Sequence, residues 1–131
     1  SSNMKAFISQ ETTPTSAADD YVFDSITQRQ SKLIELSDMF IVFPGGVGTL
    51  DELFEAITLA QTGHAPKFPI ILVGSDYWMP LIEWLKNTVC LEGKMSEKDF
   101  DLFRIVNSGQ EAVEKIIEYT DKYRKESTTN F

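Results

Sequence analysis

An unbroken apolar run that stops at a glycine cluster and restarts as a periodic helix constrains this chain most. In "MFIVFPGGVGTLDELFEAI", Met39 to Ile57, five consecutive large apolar residues precede Pro44. A strand with one wet face alternates apolar and polar side chains, so an unbroken run predicts a strand covered on both faces, as in a parallel sheet. Beyond the glycines, Leu50, Leu53, Phe54 and Ile57 recur at helical spacing. Parallel strands cannot be joined by a tight turn and need a crossover, usually a helix.

The rest of the chain repeats this pattern. "FPIILVG" reads as a second buried strand, "RIVN" as a third, and "AFISQ" as a short additional one. The polar loop "ETTPTSAADD" leads into a helix from Asp19 or Asp20, carrying Val22, Ile26, Leu33 and Leu36, with Arg29 inside it. Gly63 is placed to stop the helix that follows the glycine loop. "DYWMPLIEWLKNTVCLEG" reads as a helix with Leu81, Ile82, Leu85 and Val89 on one face. "SEKDFDLF" is a short helix capped by Ser96, and "SGQEAVEKIIEYTDKY" is a closing amphipathic helix capped by Ser108, with Glu111 three residues on. Trp78 and Trp84 suit core or interface anchors, and Cys90 a small buried hydrophobe. Strands alternating with helices predict a layered α/β fold, one domain over residues 1–131 with a polar tail, 124–131, that frays. With three or four strands visible, the sheet is smaller than a doubly wound sheet usually is, which predicts that the chain is part of a larger fold.

Composition excludes several functions. Over 131 residues the net charge is −8, which argues against nonspecific nucleic-acid binding through basic contacts to phosphates. No apolar run has transmembrane length and no secretory leader is visible. Cys90 and His64 are the only residues of their types, so neither a disulfide framework nor a metal site is expected. A cytoplasmic protein without a cofactor is the expectation.

The glycine loop has two physical readings. Glycines allow close backbone approach, and a helix start presents unpaired N–H groups at the positive end of its dipole, where phosphates bind. Gly45, Gly46, Gly48 and Thr49 are then the anion seat. A P-loop would need Lys where Thr49 stands, and the dinucleotide G-x-G-x-x-G spacing is absent. The other reading is structural: a tight turn, with Thr49 and Glu52 forming a T-x-x-E capping box.

"PGGVGTLDE" resembles the PGGxGTxxE signature of the Lonely Guy family of cytokinin-activating phosphoribohydrolases, many of which carry the label "lysine decarboxylase-like". The similarity runs from about Ser25 to about Tyr119, through "SDMFIVFPGGVGTLDELFEAITLAQTG" and "FPIILVGSDYWMPLIEWL". It implies a Rossmann-like three-layer fold and a homodimer. It also implies hydrolysis of the N-glycosidic bond of a nucleoside 5′-monophosphate, such as AMP or a cytokinin ribotide, to free base and ribose 5-phosphate. By this resemblance Gly45, Gly46, Gly48 and Thr49 hold the phosphate, Glu52 is the catalytic carboxylate, and Arg29 in "ITQRQ" is its cationic partner. The positions of the family's neighbouring His and Lys are Thr27 and Gln30, so one positive charge beside Arg29 is absent. The family's N-terminal strands, with their own glycine-rich loop, are not recognisable here.

Such chemistry suits these residue types. Departure of the base builds oxocarbenium character on the ribose, which a carboxylate stabilises while orienting water. A guanidinium pairs with phosphate or with the departing base. A true lysine decarboxylase would hold pyridoxal phosphate on a lysine, and neither Lys32 nor Lys67 has a Schiff-base context. The alternative is a nucleotide- or phosphoester-binding module that uses the same loop without turnover.

Overall fold

The computed structural model describes residues 5–9, 32, 34, 36–63 and 69–129. Four strands, β1 (Ala6–Ser9), β2 (Met39–Val42), β3 (Ile70–Val73) and β4 (Phe103–Val106), form one sheet in the order β1-β2-β3-β4, every pair parallel. Helix α1 (Val47–Gln61) connects β2 to β3, α2 (Ser75–Trp84) follows β3, and α3 (Gly109–Thr129) follows β4.

Side-chain alternation sorts the strands into two cores. Phe40 and Val42 of β2 share a face with Ile70 and Leu72 of β3 and with Phe103 of β4. Leu53, Ala56 and Ile57 of α1 and Trp78 and Ile82 of α2 close over that face. The intervening residues, Ile41, Ile71, Val73 and Val106, point the other way and pack with Ala112 and Ile116 of α3. β2 and β3 are accordingly buried at every position, the outcome expected of strands with helices on both faces. The result is a three-layer α/β fold with a parallel sheet, as the sequence predicted and consistent with a Rossmann-like arrangement.

The termini of the helices follow the sequence closely. Gly63 takes φ +77° just past α1, the left-handed conformation that ends helices on glycine. Ser96 accepts from Lys98 N at 3.2 Å, and its own N–H donates to Asp99 Oδ2 at 2.9 Å, so a reciprocal cap opens the 3₁₀ segment Glu97–Leu102. Ser108 accepts from Glu111 N at 3.1 Å, while the Glu111 carboxylate receives the Asn107 N–H at 3.0 Å.

Several expectations are corrected. The helix drawn over "DYWMPLIEWLKNTVCLEG" is α-helical only to Trp84 and continues as a π-helical segment, Leu85–Cys90. Of the two tryptophans expected as core or interface anchors, Trp78 is core and Trp84 is 53% exposed, while Cys90, expected to be buried, is only partly so. Among the described residues ahead of β2, Ile34 is fully buried and Leu36 about half exposed. The described residues include no helix long and apolar enough to cross a membrane.

Candidate functional site

Because all strands run the same way, the loops that follow them emerge at one end of the sheet. Three of these loops touch. After β2 the chain runs Phe43-Pro44-Gly45-Gly46 into α1. After β3 it turns at Gly74 into α2, and after β4 it turns at Asn107 and Ser108 into α3. Ser9, buried at the end of β1, accepts the Phe43 N–H on its hydroxyl at 3.2 Å and fixes where the glycine loop leaves the sheet.

The loop's conformation excludes one of its two sequence readings in part. Gly46 is the N-cap of α1, with no side-chain cap, and its carbonyl accepts the first helical bond from Leu50 N at 3.1 Å. Thr49 is therefore the third helical residue rather than the cap, and Glu52 lies a turn further on, so the T-x-x-E capping box does not form. The reason is geometric: a capping residue needs an extended backbone, and the glycines place that cap at Gly46, three residues before Thr49. The N–H groups of Gly46, Val47, Gly48 and Thr49 precede the first helical bond and are the usual orphan donors of a helix start. The loop thus presents a row of donors that no side chain among the described residues caps, at the positive end of a helix of 15 residues.

Local packing explains the glycines individually. A Cβ on Gly45 would collide with the Thr49 hydroxyl and lie 2.8 Å from Thr49 Cβ. Thr49 is buried and β-branched, so its side chain has little freedom to yield. Around Gly48, by contrast, no atom stands within 4 Å of where a methyl group would sit. Nothing among the described residues requires glycine there.

Glu52 is half-buried on the side of α1 that borders the core stripe of Thr49, Leu53 and Ala56. Burial, then the charges of Asp51 and Glu55, push its carboxyl above its ordinary value. Gly48, Glu52 and Glu55 recur at i, i+4 and i+7, so the carboxylate follows the loop glycine along one stripe of the helix. Arg29, Thr27, Gln30, His64 and Lys67 lie outside the described residues. Among the described residues no group of three or more His, Cys, Asp or Glu side chains is placed to hold a metal.

Sequence reading missed Tyr77. Its hydroxyl donates a hydrogen bond to the Gly45 carbonyl, and its ring meets Trp78 edge-on, with centroids 4.8 Å apart. A tyrosine that is 44% exposed at the start of a helix carries no local signal for this role, because its partner is 32 residues away.

A parallel α/β sheet with a glycine-rich loop opening a helix at the carboxyl end of a strand defines a class of protein that seats ligands at that end. A family profile described as "Possible lysine decarboxylase" matches residues 3–116, and the chain belongs to this family, the one its "PGGVGTLDE" segment resembles. A probable cytokinin riboside 5′-monophosphate phosphoribohydrolase from Oryza sativa subsp. japonica is 35% identical over 99 residues, covering 75% of this chain and 40% of that protein. A cytokinin riboside 5′-monophosphate phosphoribohydrolase from Arabidopsis thaliana is 35% identical over 98 residues, 75% of this chain and 46% of the relative. One from Mycobacterium tuberculosis (strain ATCC 25618 / H37Rv) reaches 49% identity over 57 residues, 44% of this chain and 29% of the relative. The chain spans less than half the length of these relatives.

Proposed function

We propose that this chain carries the catalytic loop of a phosphoribohydrolase that cleaves the N-glycosidic bond of a nucleoside 5′-monophosphate, either AMP or a cytokinin ribotide. Gly45, Gly46, Gly48 and Thr49 seat the 5′-phosphate. Glu52 is the catalytic carboxylate and Arg29 its cationic partner. The observation that carries this reading is the pairing of uncapped N–H donors at the start of α1 with a half-buried carboxylate one turn further along the same helix. The names of the relatives support the same reaction class.

In this reading the C1′–N bond breaks as positive charge develops on the ribose. The Glu52 carboxylate stabilises that charge and orients the attacking water, whose oxygen bonds to C1′ and whose proton leaves through the carboxylate. The base departs with a proton, and ribose 5-phosphate remains. A carboxyl held above its ordinary value is matched to taking a proton nearer neutral pH. The protein works as a homodimer, which light scattering checks.

The test is a mass-spectrometric assay of base release from AMP and from isopentenyladenosine monophosphate. Release from either, lost in Glu52→Gln, is the expected result. If both nucleotides bind and neither is cleaved, the hydrolase reading fails and the loop is a binding module.

A further inference from the structure

The glycine loop does not hold its shape alone. The Gly45 carbonyl is engaged by the Tyr77 hydroxyl from the first turn of α2. Described residues include no cis peptide, so the Gly45–Gly46 unit is planar and trans, and the Gly46 N–H points opposite to the Gly45 carbonyl. Fixing the carbonyl toward α2 therefore fixes the Gly46 N–H away from it. That N–H is the first of the row of donors at the start of α1. The other polar group of Gly46, its carbonyl, belongs to the next peptide plane and is committed to Leu50 N.

Tyr77 is itself held. Gly74 turns the chain with φ +104°, and a Cβ there would come within 3.4 Å of Pro44 Cγ, so the β3–α2 turn lies directly against the start of the glycine loop. Gly74 N donates to Val106 O at 2.7 Å. Ser75 donates from its N–H at 3.0 Å and from its hydroxyl at 2.8 Å to Asn107 Oδ1. The Asn107 N–H in turn donates to the Glu111 carboxylate at 3.0 Å. A chain of bonds thus runs from the first turn of α3, through the ends of β4 and β3, to the peptide plane that opens α1.

We propose that Tyr77 is a positioning residue which, by holding the Gly45 carbonyl, aims the Gly46 N–H at the phosphate and sets the preference for a phosphorylated over an unphosphorylated ribose. This rests on the phosphate-seat reading of the loop. Tyr77 touches the loop and not the reacting atoms, so its effect falls on recognition of the phosphate rather than on bond cleavage.

The test compares wild type with Tyr77→Phe, which removes the hydroxyl and keeps the ring on Trp78. AMP and adenosine are titrated by calorimetry, and the Gly46 amide is followed by NMR. The expected result is roughly tenfold weaker AMP binding in Tyr77→Phe, the size of one hydrogen bond. Adenosine binding is unchanged, the Gly46 resonance moves in the free protein, and kcat stays within about twofold while KM rises. Equal AMP affinities in the two proteins, or an equal loss for AMP and adenosine together with a lowered Tm, overturn the proposal and leave the phosphate seat standing. If wild type itself does not bind AMP, the seat fails and the proposal fails with it. Should Tyr77→Phe not fold, Ser75→Ala, which removes one bond from the turn carrying Tyr77, is expected to show the same selective loss for AMP, and equal losses for both ligands overturn the inference.

Discussion

At the scale of single residues, the loop separates what the fold needs from what a ligand would need. Gly45 is required by the protein itself, since Thr49 occupies the space a side chain would take. Gly48 is not required by any described residue, because none stands within 4 Å of where its Cβ would sit. Gly48→Ala replaces a flexible helical residue by the best helix former, so it is expected to raise stability by about 0.5–1 kcal/mol in urea denaturation. If the phosphate approaches the backbone there, the same substitution weakens AMP binding. A gain in stability with unchanged binding would remove Gly48 from the seat. Glu52 makes a second, opposite pair of expectations. Its carboxyl is raised by burial and by the like charges of Asp51 and Glu55, so the folded state favours the protonated form. The charged form's penalty is absent below the ordinary value of 4.5, appears as pH climbs through the raised folded value, and is complete above it. Glu52→Gln is therefore expected to match wild type in Tm at pH 4 and to exceed it at pH 7. In the proposed reaction it also lowers turnover by about 10²–10⁴-fold. A Tm below wild type at pH 7 would show that the carboxylate is held by the fold rather than strained in it.

At the scale of elements, the turns carry more information than the helices. Gly74 combines a left-handed backbone with close packing on Pro44. An alanine there meets both a conformational cost of about 1–2 kcal/mol and a tight contact that bears on the glycine loop. Gly74→Ala is thus expected to lower stability by at least that conformational cost in chemical denaturation, and to weaken AMP binding along with it. The caps show how sequence signals divide. Ser96 and Ser108 stand where their patterns placed them, because each cap is closed by groups three or fewer residues away. The T-x-x-E pattern at Thr49 and Glu52 did not cap, because the glycines moved the helix start upstream and left Thr49 inside the helix. A capping pattern reads correctly only where the preceding backbone leaves it the first position.

At the scale of the molecule, stability rests on the central strands. Leu72 is fully buried in β3 between β2 and β4, so Leu72→Ala is expected to cost about 2–5 kcal/mol. Leu91, 79% exposed, lies outside both apolar clusters, and Leu91→Ala is expected to stay within about 0.5 kcal/mol. Comparable losses from the two would mean that β3 is not the centre of the core. The layered architecture itself was legible, because consecutive apolar residues admit few arrangements other than a strand with helices on both sides. Which apolar residues of a helix turn inward was less so. Ile34 and Leu36 are two residues apart in sequence, yet one is buried and the other, in the turn that leads to β2, is half exposed, since burial depends on where the chain meets the sheet.

By itself, the sequence determined the elements, their parallel α/β layering, the glycine loop at a strand end and the family to which the chain belongs. These are local signals: hydrophobic period, turn residues and a contiguous motif. Only the tertiary structure decided that Gly46 opens the helix, that Glu52 is a half-buried carboxylate rather than a cap, and that Tyr77 reaches the Gly45 carbonyl. Each of these depends on where one backbone segment settles against another distant in the chain, and packing and electrostatics at such contacts act through space rather than along the sequence.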